Sequence, residues 1–512
     1  MKLVSYCRKT AFFTLLVTSL LIISCNAENS AADAQGNVKN VKYVFFFIGD
    51  GMGPAQIHVT EAYLASLKEG YNDSIPGMEK FVKLSFTQFP VMGMITTYAD
   101  DRLITDSAAA GTALSCGMKT ACGVVGMSTD KKKPYTNIAE LAKAKGMKIG
   151  IVTSQPIDDA TPSVFYAHEV SRDNYYAIGV QLANSNFDYF AGGSLRQPTR
   201  RMRRGSGNTE NKNTYDVAKE NDYKVVTSRE ELNNCRPGEK IIAYDRDEDS
   251  DHSLPYEIDR PDNCLSLAEL TEKGIELLDN DKGFFMMIEG GKIDHACHAD
   301  DAVTSIVDTI ALDKAVLEAL DFYKKHPDET LIIITADHET GGMTLGYSLT
   351  EYSSSYEILK NQKMSYEGFD NKIWPKYRSG QWSGVEDNIP ENLKTDINDS
   401  FGLVYDRLSA YQKKLLEDAY DKAMASAKRM PINIHEFPDQ DKLLYSDKNP
   451  VSVTLTCILD NKAGIGWTTF AHTAVPVEVH AIGADSDLFS GFYDNTDIPK
   501  KIAKAIKVEL KN

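Results

Sequence analysis

The 512-residue chain lacks several patterns that mark common classes of protein. Beyond residue 24 it has no run of 18 or more apolar residues, so no internal membrane-spanning helix is predicted. No two cysteines have CxxC spacing, which argues against a zinc ribbon. No GxSxG sequence occurs, so the serine–histidine–acid site of the α/β-hydrolases is not indicated.

Positive charge is also in short supply. Lysine and arginine number 56 against 73 aspartates and glutamates, and the net charge is -17. This excess of negative charge argues against non-specific nucleic-acid binding. The basic cluster TRRMRRG (199–205) is interpreted as a solvated loop. If the substrate is an anion, cations near the site must oppose the field of the whole chain.

The N-terminus has the composition of an export signal. Lys2, Arg8 and Lys9 precede the apolar stretch AFFTLLVTSLLIIS, and Cys25 follows. This order predicts a signal peptide over residues 1–24. LIISC also resembles a bacterial lipobox, which predicts a lipid-modified Cys25, a flexible tether over 25–41, and attachment to a membrane in the periplasm or outer membrane. An ordinary signal peptide cut nearby is the alternative.

Six cysteines remain after Cys25. An exported protein could form disulfides, and two pairs are close in sequence, Cys116 with Cys122 and Cys235 with Cys264. Buried unpaired thiols are the alternative, and the spacing does not decide between them. Cys297, beside His298, is interpreted as a buried thiol.

Short apolar runs alternate with helical patterns along most of the chain. The runs lie at 43–49, 148–154, 187–193, 283–291, 330–338 and 477–483, with helical patterns at 136–146 and 302–326. This alternation predicts an α/β fold in three layers, a mainly parallel central sheet with helices on both faces, over residues 42–512. Ligands then bind beyond the carboxyl ends of the strands.

Residues 345 to about 450 break the alternation. They are rich in Tyr, Ser, Asn, Asp and Lys and contain one strong helical pattern at 409–429. They are interpreted as an inserted cap segment that either roofs the site or serves as a structural cover.

Acidic and imidazole side chains recur next to the predicted strands. Singly, such residues serve as helix caps or surface pairs. Together they would repel one another without cations, and mixed His and Asp ligands suit Zn²⁺ whereas an all-oxygen set suits Mg²⁺. The residues are Asp50 in IGDGMG; Asp158, Asp159 and Thr161 in PIDDATPS; Glu289, Asp294, His295 and His298 in IEGGKIDHACH; Asp337 and His338 in TADH; and His472 before the last run.

A serine precedes a run of small helix-forming residues in TDSAAAGTA (105–113). Ser107 therefore lies at or near a helix N-terminus, where it is either a cap or a nucleophile whose target sits in the field of the helix amides. An adjacent metal ion would activate its hydroxyl without a histidine base.

In this order, IGDGMG, TDSAAAGTA, IEGGKIDHACH, TADH and the late HT resemble the alkaline phosphatases. The resemblance covers about residues 42–345 and 450–510. It implies hydrolysis of phosphate monoesters through a phosphoserine intermediate, with two Zn²⁺ and one Mg²⁺, in phosphate scavenging outside the cytoplasm. Homodimers are common in the family, but the sequence identifies no interface.

The resemblance also implies roles for single residues. Arg172, in FYAHEVSRDNYY, would clamp the phosphate with its guanidinium fork, and His295 would lie near the phosphate or its water. Asp159 stands where animal relatives carry histidine, so the third site should favour Mg²⁺. The implied ligands are Asp294, His298 and His472 for the first zinc; Asp50, Asp337, His338 and deprotonated Ser107 for the second; and Asp50, Asp159, Thr161 and Glu289 for magnesium.

Two alternatives to a phosphomonoesterase remain. One is a phosphodiesterase or phosphonate hydrolase of the same superfamily, against which Arg172 and the magnesium ligands argue, because a diester has one charge fewer to clamp. The other is a non-catalytic metal-binding surface lipoprotein, against which the completeness of the ligand set argues. A sulfatase is not indicated, because Ser107 lies in no CxPxR motif.

Overall fold

The structure is a computed structural model that describes residues 41–72, 74–199, 212–245, 249, 251–378, 389–426 and 438–512. The predicted signal peptide, Cys25 and nearly all of the basic cluster at 199–205 lie outside these residues.

A sheet of ten strands forms the centre of the described residues, in the order β14-β2-β13-β8-β1-β7-β3-β4-β6-β5. Nine of these strands run in one direction, and β13 is antiparallel to both of its neighbours. The strands are β1 (Tyr43–Gly49), β2 (Val91–Thr96), β3 (Lys148–Pro156), β4 (Tyr189–Gly193), β5 (Tyr223–Val226), β6 (Lys240–Tyr244), β7 (Phe284–Gly290), β8 (Thr330–Thr335), β13 (Val477–Gly483) and β14 (Gly491–Asp494). Four two-residue strands pair outside it, β9 (Glu339–Thr340) with β12 (His472–Thr473) and β10 (Thr344–Leu345) with β11 (Ile465–Gly466).

The middle strands are apolar along their whole length because helices cover both faces of the sheet. Every residue of β1, β7 and β8 is buried, which is typical of parallel strands in α/β proteins. In the register of these strands Ile48 pairs with both Glu289 and Thr335. Their carboxyl ends are therefore level, and the residues that follow them meet at one edge.

Helices connect the strands. They are α1 (Pro54–Ser66), α2 (Ser107–Cys116), α3 (Ile138–Lys145), α4 (Ala160–Ser163), α5 (Tyr175–Asn184), α6 (Thr214–Glu220), α7 (Arg229–Asn233), α8 (Leu267–Leu278), α9 (Lys292–Cys297), α10 (Ala302–Tyr323), α11 (Tyr366–Lys372), α12 (Pro375–Arg378), α13 (Glu391–Phe401), α14 (Ala410–Ser426), α15 (Asp439–Tyr445), α16 (Pro450–Ala463) and α17 (Asp497–Ala505). Short 3-10 helices occur at Phe86–Gln88, Tyr356–Asn361, Tyr405–Arg407 and Ser486–Phe489.

The mainly parallel α/β sheet predicted from the sequence is confirmed, and each of the six apolar runs contains a strand. Four strands, β2, β5, β6 and β14, were not predicted. Three of them have only four or five residues, and β2 alternates buried and exposed positions instead of forming an apolar run. The sequence also gave no sign that β13 runs against its neighbours.

Residues 345–450 contribute helices but no strand of the central sheet within the described part of the chain. Their apolar side chains, such as Phe369, Phe401 and Leu416, form a second hydrophobic core. This core also includes Val59 of α1 and Val303 of α10. The segment thus packs on α1, which follows the turn at Asp50, and on α10, which follows α9.

Of the two alternatives that the sequence left open for the cysteines, the structure has the thiols and not the local disulfides. The structure has thiols at Cys116 and Cys122 and at Cys235 and Cys264. Cys297 is a fully buried thiol. Along the described residues, no helix combines the length and the apolarity that crossing a bilayer requires.

Candidate metal centre

The candidate site lies at the carboxyl edge of the parallel strands. Asp50 follows β1, Glu289 lies near the end of β7, and Asp337 and His338 follow β8. Because β13 is antiparallel, its first residues lie at this same edge, with Val479 opposite Thr335. This is why His472, which precedes a strand, meets residues that follow strands.

The glycine-rich turn after β1 is closed tightly against the site. Gly51 has φ +69°, and a Cβ there would lie 2.9 Å from both Asp294 Oδ1 and Thr340 Oγ1. Its amide N–H donates to Asp337 Oδ1 at 3.2 Å. A side chain at this position would push the acidic residues apart, so glycine serves close approach as well as the positive φ.

Three oxygen atoms surround one nitrogen of His338. Asp337 Oδ2 lies 3.2 Å, Ser107 Oγ 3.3 Å and Asp50 Oδ1 3.5 Å from His338 Nε2. A serine–histidine–aspartate relay needs serine on one ring nitrogen and the acid on the other. Here the same nitrogen faces both the serine and the acids, so the geometry excludes that relay. The four atoms instead form a cluster of ligand atoms suited to a cation.

Asp294, His298 and His472 form a second group beside the first. His298 Nδ1 lies 2.6 Å from the carbonyl oxygen of Phe470, and His472 Nδ1 lies 2.9 Å from that of Thr105. A carbonyl only accepts, so each Nδ1 carries a proton, and in the neutral rings each Nε2 has a free lone pair.

These two Nε2 atoms are 3.1 Å apart and face each other. Asp294 Oδ2 is 3.2 Å from that of His298, and Asp294 Oδ1 is 3.6 Å from that of His472. A proton or a metal ion must occupy the space between them, and two imidazoles with one carboxylate are a ligand set that zinc uses.

The two groups adjoin. The rings of His338 and His472 stack with centroids 3.6 Å apart. Single donor atoms of Asp294, His338 and His472 lie within 4.8 Å of one another, as do those of Asp50, Asp337 and His338.

The oxygen ligands implied for magnesium lie on the other side of Asp50. Thr161 Oγ1 is 3.4 Å from Asp50 Oδ2, and Asp159 is the residue that precedes the short helix α4 carrying Thr161. Glu289 is fully buried and accepts a hydrogen bond from Thr153. These four acidic and hydroxyl groups form an all-oxygen set of the type that suits Mg²⁺.

Three buried carboxylate oxygens at the site have no hydrogen-bond partner, namely Asp50 Oδ1, Asp337 Oδ2 and Glu289 Oε1. Burial, and then neighbouring carboxylates, raise the pKa of Asp50 well above its usual range and that of Asp337 to about 7. Burial is also the main reason that the pKa of Glu289 rises to about 8. Unpartnered buried charges of one sign are costly, so the donor set fits divalent cations.

Two of the three histidines have electrostatics suited to metal ligands, whereas burial lowers the pKa of His298 but Asp294 outweighs burial and raises it. Burial lowers the pKa of His338 well below its usual range and lowers that of His472. Burial opposes ionisation of Asp294, but the charges of His298 and His472 outweigh it and lower the pKa of that carboxyl. Neutral imidazoles and an ionised carboxylate are the forms that bind a metal.

Ser107 is the first residue of α2 and is not the helix cap. Asp106 is the cap, accepting from Ala109 N–H at 3.0 Å through Oδ1 and from Gly123 N–H at 3.0 Å through Oδ2. The Ser107 hydroxyl is thereby left for the site, next to His338. The sequence alternatives of cap and site residue are thus divided between two neighbours.

Two arginines, Arg172 and Arg196, meet at Asp159. Arg172 Nη1 donates to Asp106 Oδ2 at 3.3 Å, and Nη2 lies 3.6 Å from Asp159 Oδ1. Burial opposes its charge, but Asp159 and Asp106 outweigh burial and raise the pKa of Arg172. Arg196 also contacts Asp159 Oδ1, at 3.3 Å.

His295 is on α9, and its Nδ1 lies 3.5 Å from Asp251 Oδ2. Burial and the charge of Lys292 lower the pKa of His295 to about 4. Lys292 is itself fully buried and donates to Asp249 and Ser253, both at 2.9 Å.

The structure brings together the donor atoms named for both predicted zinc groups and places Thr161, Glu289, Asp159 and Arg172 around them. Sequence reasoning missed Arg196, Asp106 and Lys292. The TDS sequence carried a signal for Asp106, because aspartate is a strong helix cap. Arg196 follows β4 in a stretch without a motif, so no pattern marked it.

The sequence profile of the alkaline phosphatase family matches residues 39–508. The chain belongs to the alkaline phosphatase family. It is 31% identical to alkaline phosphatase 3 of Bacillus subtilis over 97% of each chain. The cold-active alkaline phosphatase of a Shewanella species has a similar structure, with 27% identity and a TM-score of 0.70 over 91% of this chain and 99% of that chain.

A variant of the alkaline phosphatase from the Antarctic bacterium TAB5, with Mg bound in its M3 site, shares the fold at 24% identity and a TM-score of 0.59, over 92% of this chain and 99% of that chain. Family and fold together make this alkaline phosphatase a phosphomonoesterase. The family is metal-dependent, and the candidate metal groups of the structure agree with that.

Proposed function

We propose that the enzyme hydrolyses phosphate monoesters through a phosphoserine at Ser107, with two Zn²⁺ and one Mg²⁺, and that it scavenges phosphate outside the cytoplasm. The observation that carries the proposal is the convergence of Ser107 Oγ, Asp50 Oδ1 and Asp337 Oδ2 on His338 Nε2 within 3.5 Å. A serine hydroxyl that lies among carboxylate and imidazole groups able to bind a metal ion can be activated as a nucleophile when the ion binds.

The three ions would be held by the groups already described. Asp294, His298 and His472 would hold the first zinc, Asp50, Asp337 and His338 the second, and Asp50, Asp159, Thr161 and Glu289 the magnesium. When bound, the ions supply Lewis-acid stabilisation of the charge that develops on the attacking and leaving oxygens. Magnesium in the M3 site of the TAB5 variant gives a precedent for the third ion.

The chain's own groups then perform the reaction. Ser107 Oγ gives up its proton to solvent and bonds to phosphorus as the bond to the ester oxygen breaks in line with it, and the leaving oxygen takes a proton from water. Water then attacks phosphorus, the bond to Oγ breaks, and phosphate leaves as the serine regains its proton. Arg172 grips two non-bridging oxygens, and Asp106 orients it from the far side. His295, whose Nδ1 lies 3.5 Å from Asp251 Oδ2, would lie near the phosphate or its water.

The direct test is hydrolysis of p-nitrophenyl phosphate by purified, zinc- and magnesium-loaded enzyme, compared with bis(p-nitrophenyl) phosphate. We expect the monoester to react faster by orders of magnitude. Acid-quenched samples should contain a peptide phosphorylated at Ser107, detected by mass spectrometry. A faster rate on the diester would favour a phosphodiesterase, and metal binding without either activity would favour a non-catalytic lipoprotein.

Replacement of the phosphate clamp should mainly weaken substrate binding. For Arg172→Gln we expect kcat/KM for p-nitrophenyl phosphate to fall about 10- to 100-fold, because charge-assisted hydrogen bonds of this type contribute about 1.5–3 kcal/mol. Steady-state kinetics at saturating metal measure this. Arg229→Gln, which removes a surface arginine paired with Glu269, is the matched control. An unchanged kcat/KM in Arg172→Gln would remove this residue from the phosphate site.

The identity of the third ion depends on the ligand at position 159. We expect Asp159→His to exchange magnesium for zinc at this site, because imidazole is a poor ligand for Mg²⁺ and a good one for Zn²⁺. After dialysis against both ions, elemental analysis should show that the variant gains about one zinc ion per chain and loses its magnesium, because one site has changed its metal. Retention of magnesium by the variant would contradict the assignment.

We also propose export as a lipoprotein, with residues 1–24 as the signal peptide, 25–41 as the tether, 42–512 as the catalytic domain and 345–450 as its inserted segment. Support comes from the basic, apolar and LIISC segments of the sequence. Cys25→Ala should move the activity from the membrane fraction to the soluble exported fraction. Equal membrane attachment of the variant would rule out this anchor.

A homodimer is proposed on the family resemblance alone, and sedimentation analysis would show it.

A further inference from the structure

A second guanidinium group, that of Arg196, lies beside Arg172 and outside the motifs that carry the family resemblance. Arg196 Nη1 is 3.3 Å from Asp159 Oδ1 and donates to the hydroxyl of Tyr175 at 3.0 Å. Arg172 Nη2 approaches the same oxygen of Asp159, at 3.6 Å. The two arginines are therefore separated by a single carboxylate oxygen.

The position of Arg196 is determined from several sides. Its backbone N–H donates to both oxygens of the fully buried Asp158, each at 3.1 Å. Its guanidinium carbon lies 5.3 Å from the centre of the Tyr175 ring. A side chain held in this way loses little conformational entropy when it binds an anion.

Burial opposes the charge of Arg196, but Asp159, Tyr175 and Asp251 raise its pKa, and Asp251 also faces the buried Lys292. Asp106 accepts hydrogen bonds from two backbone N–H groups and from Arg172. In the proposed function Asp159 shares its charge with magnesium, so it neutralises Arg196 only in part. The Arg196 side chain is 22% exposed and that of Asp159 only 6%, so the cation is the more open to solvent.

We propose that Arg196 forms a second anion subsite, which binds a phosphate or carboxylate next to the phosphoryl group that is transferred. This assignment depends on the proposed function, because it takes the transferred group to lie against Arg172. The preferred substrates would carry a second anionic group one or two atoms from the reacting phosphate. A diphosphate, in which one bridging oxygen joins two phosphoryl groups, suits two guanidinium groups at this spacing.

The test uses non-hydrolysable ligands and calorimetry on the zinc- and magnesium-loaded enzyme. Methylphosphonate has one anionic group, phosphonoacetate adds a carboxylate, and methylenediphosphonate adds a second phosphonate. We expect at least one of the two dianionic-group ligands to bind about tenfold or more tightly than methylphosphonate. Arg196→Gln should abolish this preference, and Arg196→Lys should restore part of it, because lysine keeps the charge but not the fork.

The ratio of affinities separates a subsite from a supporting role. If Arg196 only orders Asp159, Arg196→Gln will weaken all three ligands by the same factor, and the proposal is overturned. It is also overturned if the unaltered enzyme shows no preference. Arg172→Gln should weaken all three alike. Chelation by the diphosphonate affects every variant equally, so it cancels in the comparison.

Comparison of phosphonoacetate with methylenediphosphonate shows whether the second group that is bound is a carboxylate or a phosphate. Binding does not require turnover, so the subsite and the proposed function fail separately. If the enzyme hydrolyses monoesters but shows no preference among the ligands, the subsite proposal fails and the proposed function stands. If the protein shows the preference but hydrolyses nothing, the proposed reaction fails and the subsite stands.

Discussion

Ser107→Ala should lower kcat for p-nitrophenyl phosphate by at least about 10³-fold, since removal of a nucleophile costs on the order of 10³- to 10⁶-fold in covalent catalysis. The zinc and magnesium contents should stay near those of the unaltered enzyme. The reason is geometric, because Asp50, Asp337 and His338 supply the other donors around the nucleophile. Stopped kinetic assays and elemental analysis on the same preparation measure both quantities.

The matched control is Ser115→Ala, which makes the same chemical change in the same helix. Ser115 is fully buried and its hydroxyl contacts Thr112 and Cys116, away from the metal donors. Its loss should leave kcat within a factor of about two, because it touches no reacting group. Near-normal activity of Ser107→Ala would refute the phosphoserine route even if the enzyme hydrolyses monoesters.

Removal of the metals should abolish activity and reverse the pH dependence of stability. In the metal-free enzyme the pKa of Asp337 is raised to about 7 and that of Glu289 to about 8. Between about pH 6.5 and pH 8, where histidines of the unfolded chain are already neutral, the folded chain thus retains carboxyl protons that the unfolded chain has lost. The free energy of unfolding must therefore fall as the pH rises, by an amount on the order of a few kcal/mol.

The metal-loaded enzyme should show the opposite slope over the same pH range. Binding requires ionised carboxylates and neutral imidazoles, so acid weakens binding and with it the stability that binding contributes. Urea unfolding at pH 5.5, 7.0 and 8.5, with chelator or with zinc and magnesium, measures both slopes. Other buried acids, such as Asp300, whose pKa is raised to about 9 by burial and by Asp460, titrate in both samples.

A variant separates the metal centre from those other acids. Asp337→Asn removes one of the raised pKa values, so the metal-free variant should lose less stability than the unaltered protein as the pH rises. The same change should destabilise the metal-loaded protein, because it removes a ligand. Parallel slopes with and without metal would show that these carboxylates are not the metal centre.

Much of the site could be recognised from the sequence because its residues occur in short local motifs. Asp294 and His298 are one helical turn apart, and both contribute to the same group. Asp337 and His338 are adjacent in sequence, and Asp337 Oδ2 lies 3.2 Å from His338 Nε2. The small residues after Ser107 likewise form the predicted helix. In these cases local backbone geometry nearly determines where the side chains point.

Other features could not be predicted because they depend on contacts between distant segments. Arg196 reaches Asp159 only because β4 lies beside β3 in the sheet. Nothing in IEGGKIDHACH marks Lys292 as a buried residue, but in the structure it is fully buried and donates to Asp249. The disulfide question also depended on tertiary distances, and the structure decided it in favour of thiols.

The chemical types of the donors, their order along the chain and the apolar strands that carry them all follow from the amino-acid sequence. Side-chain chemistry and short-range periodicity are local properties, so they can be identified from the letters alone. Only the tertiary structure decided that β13 runs against its neighbours, which brings His472 to the same edge as Asp50 and Asp294. Strand order and direction follow from how the entire apolar surface is buried, and no single segment contains that information.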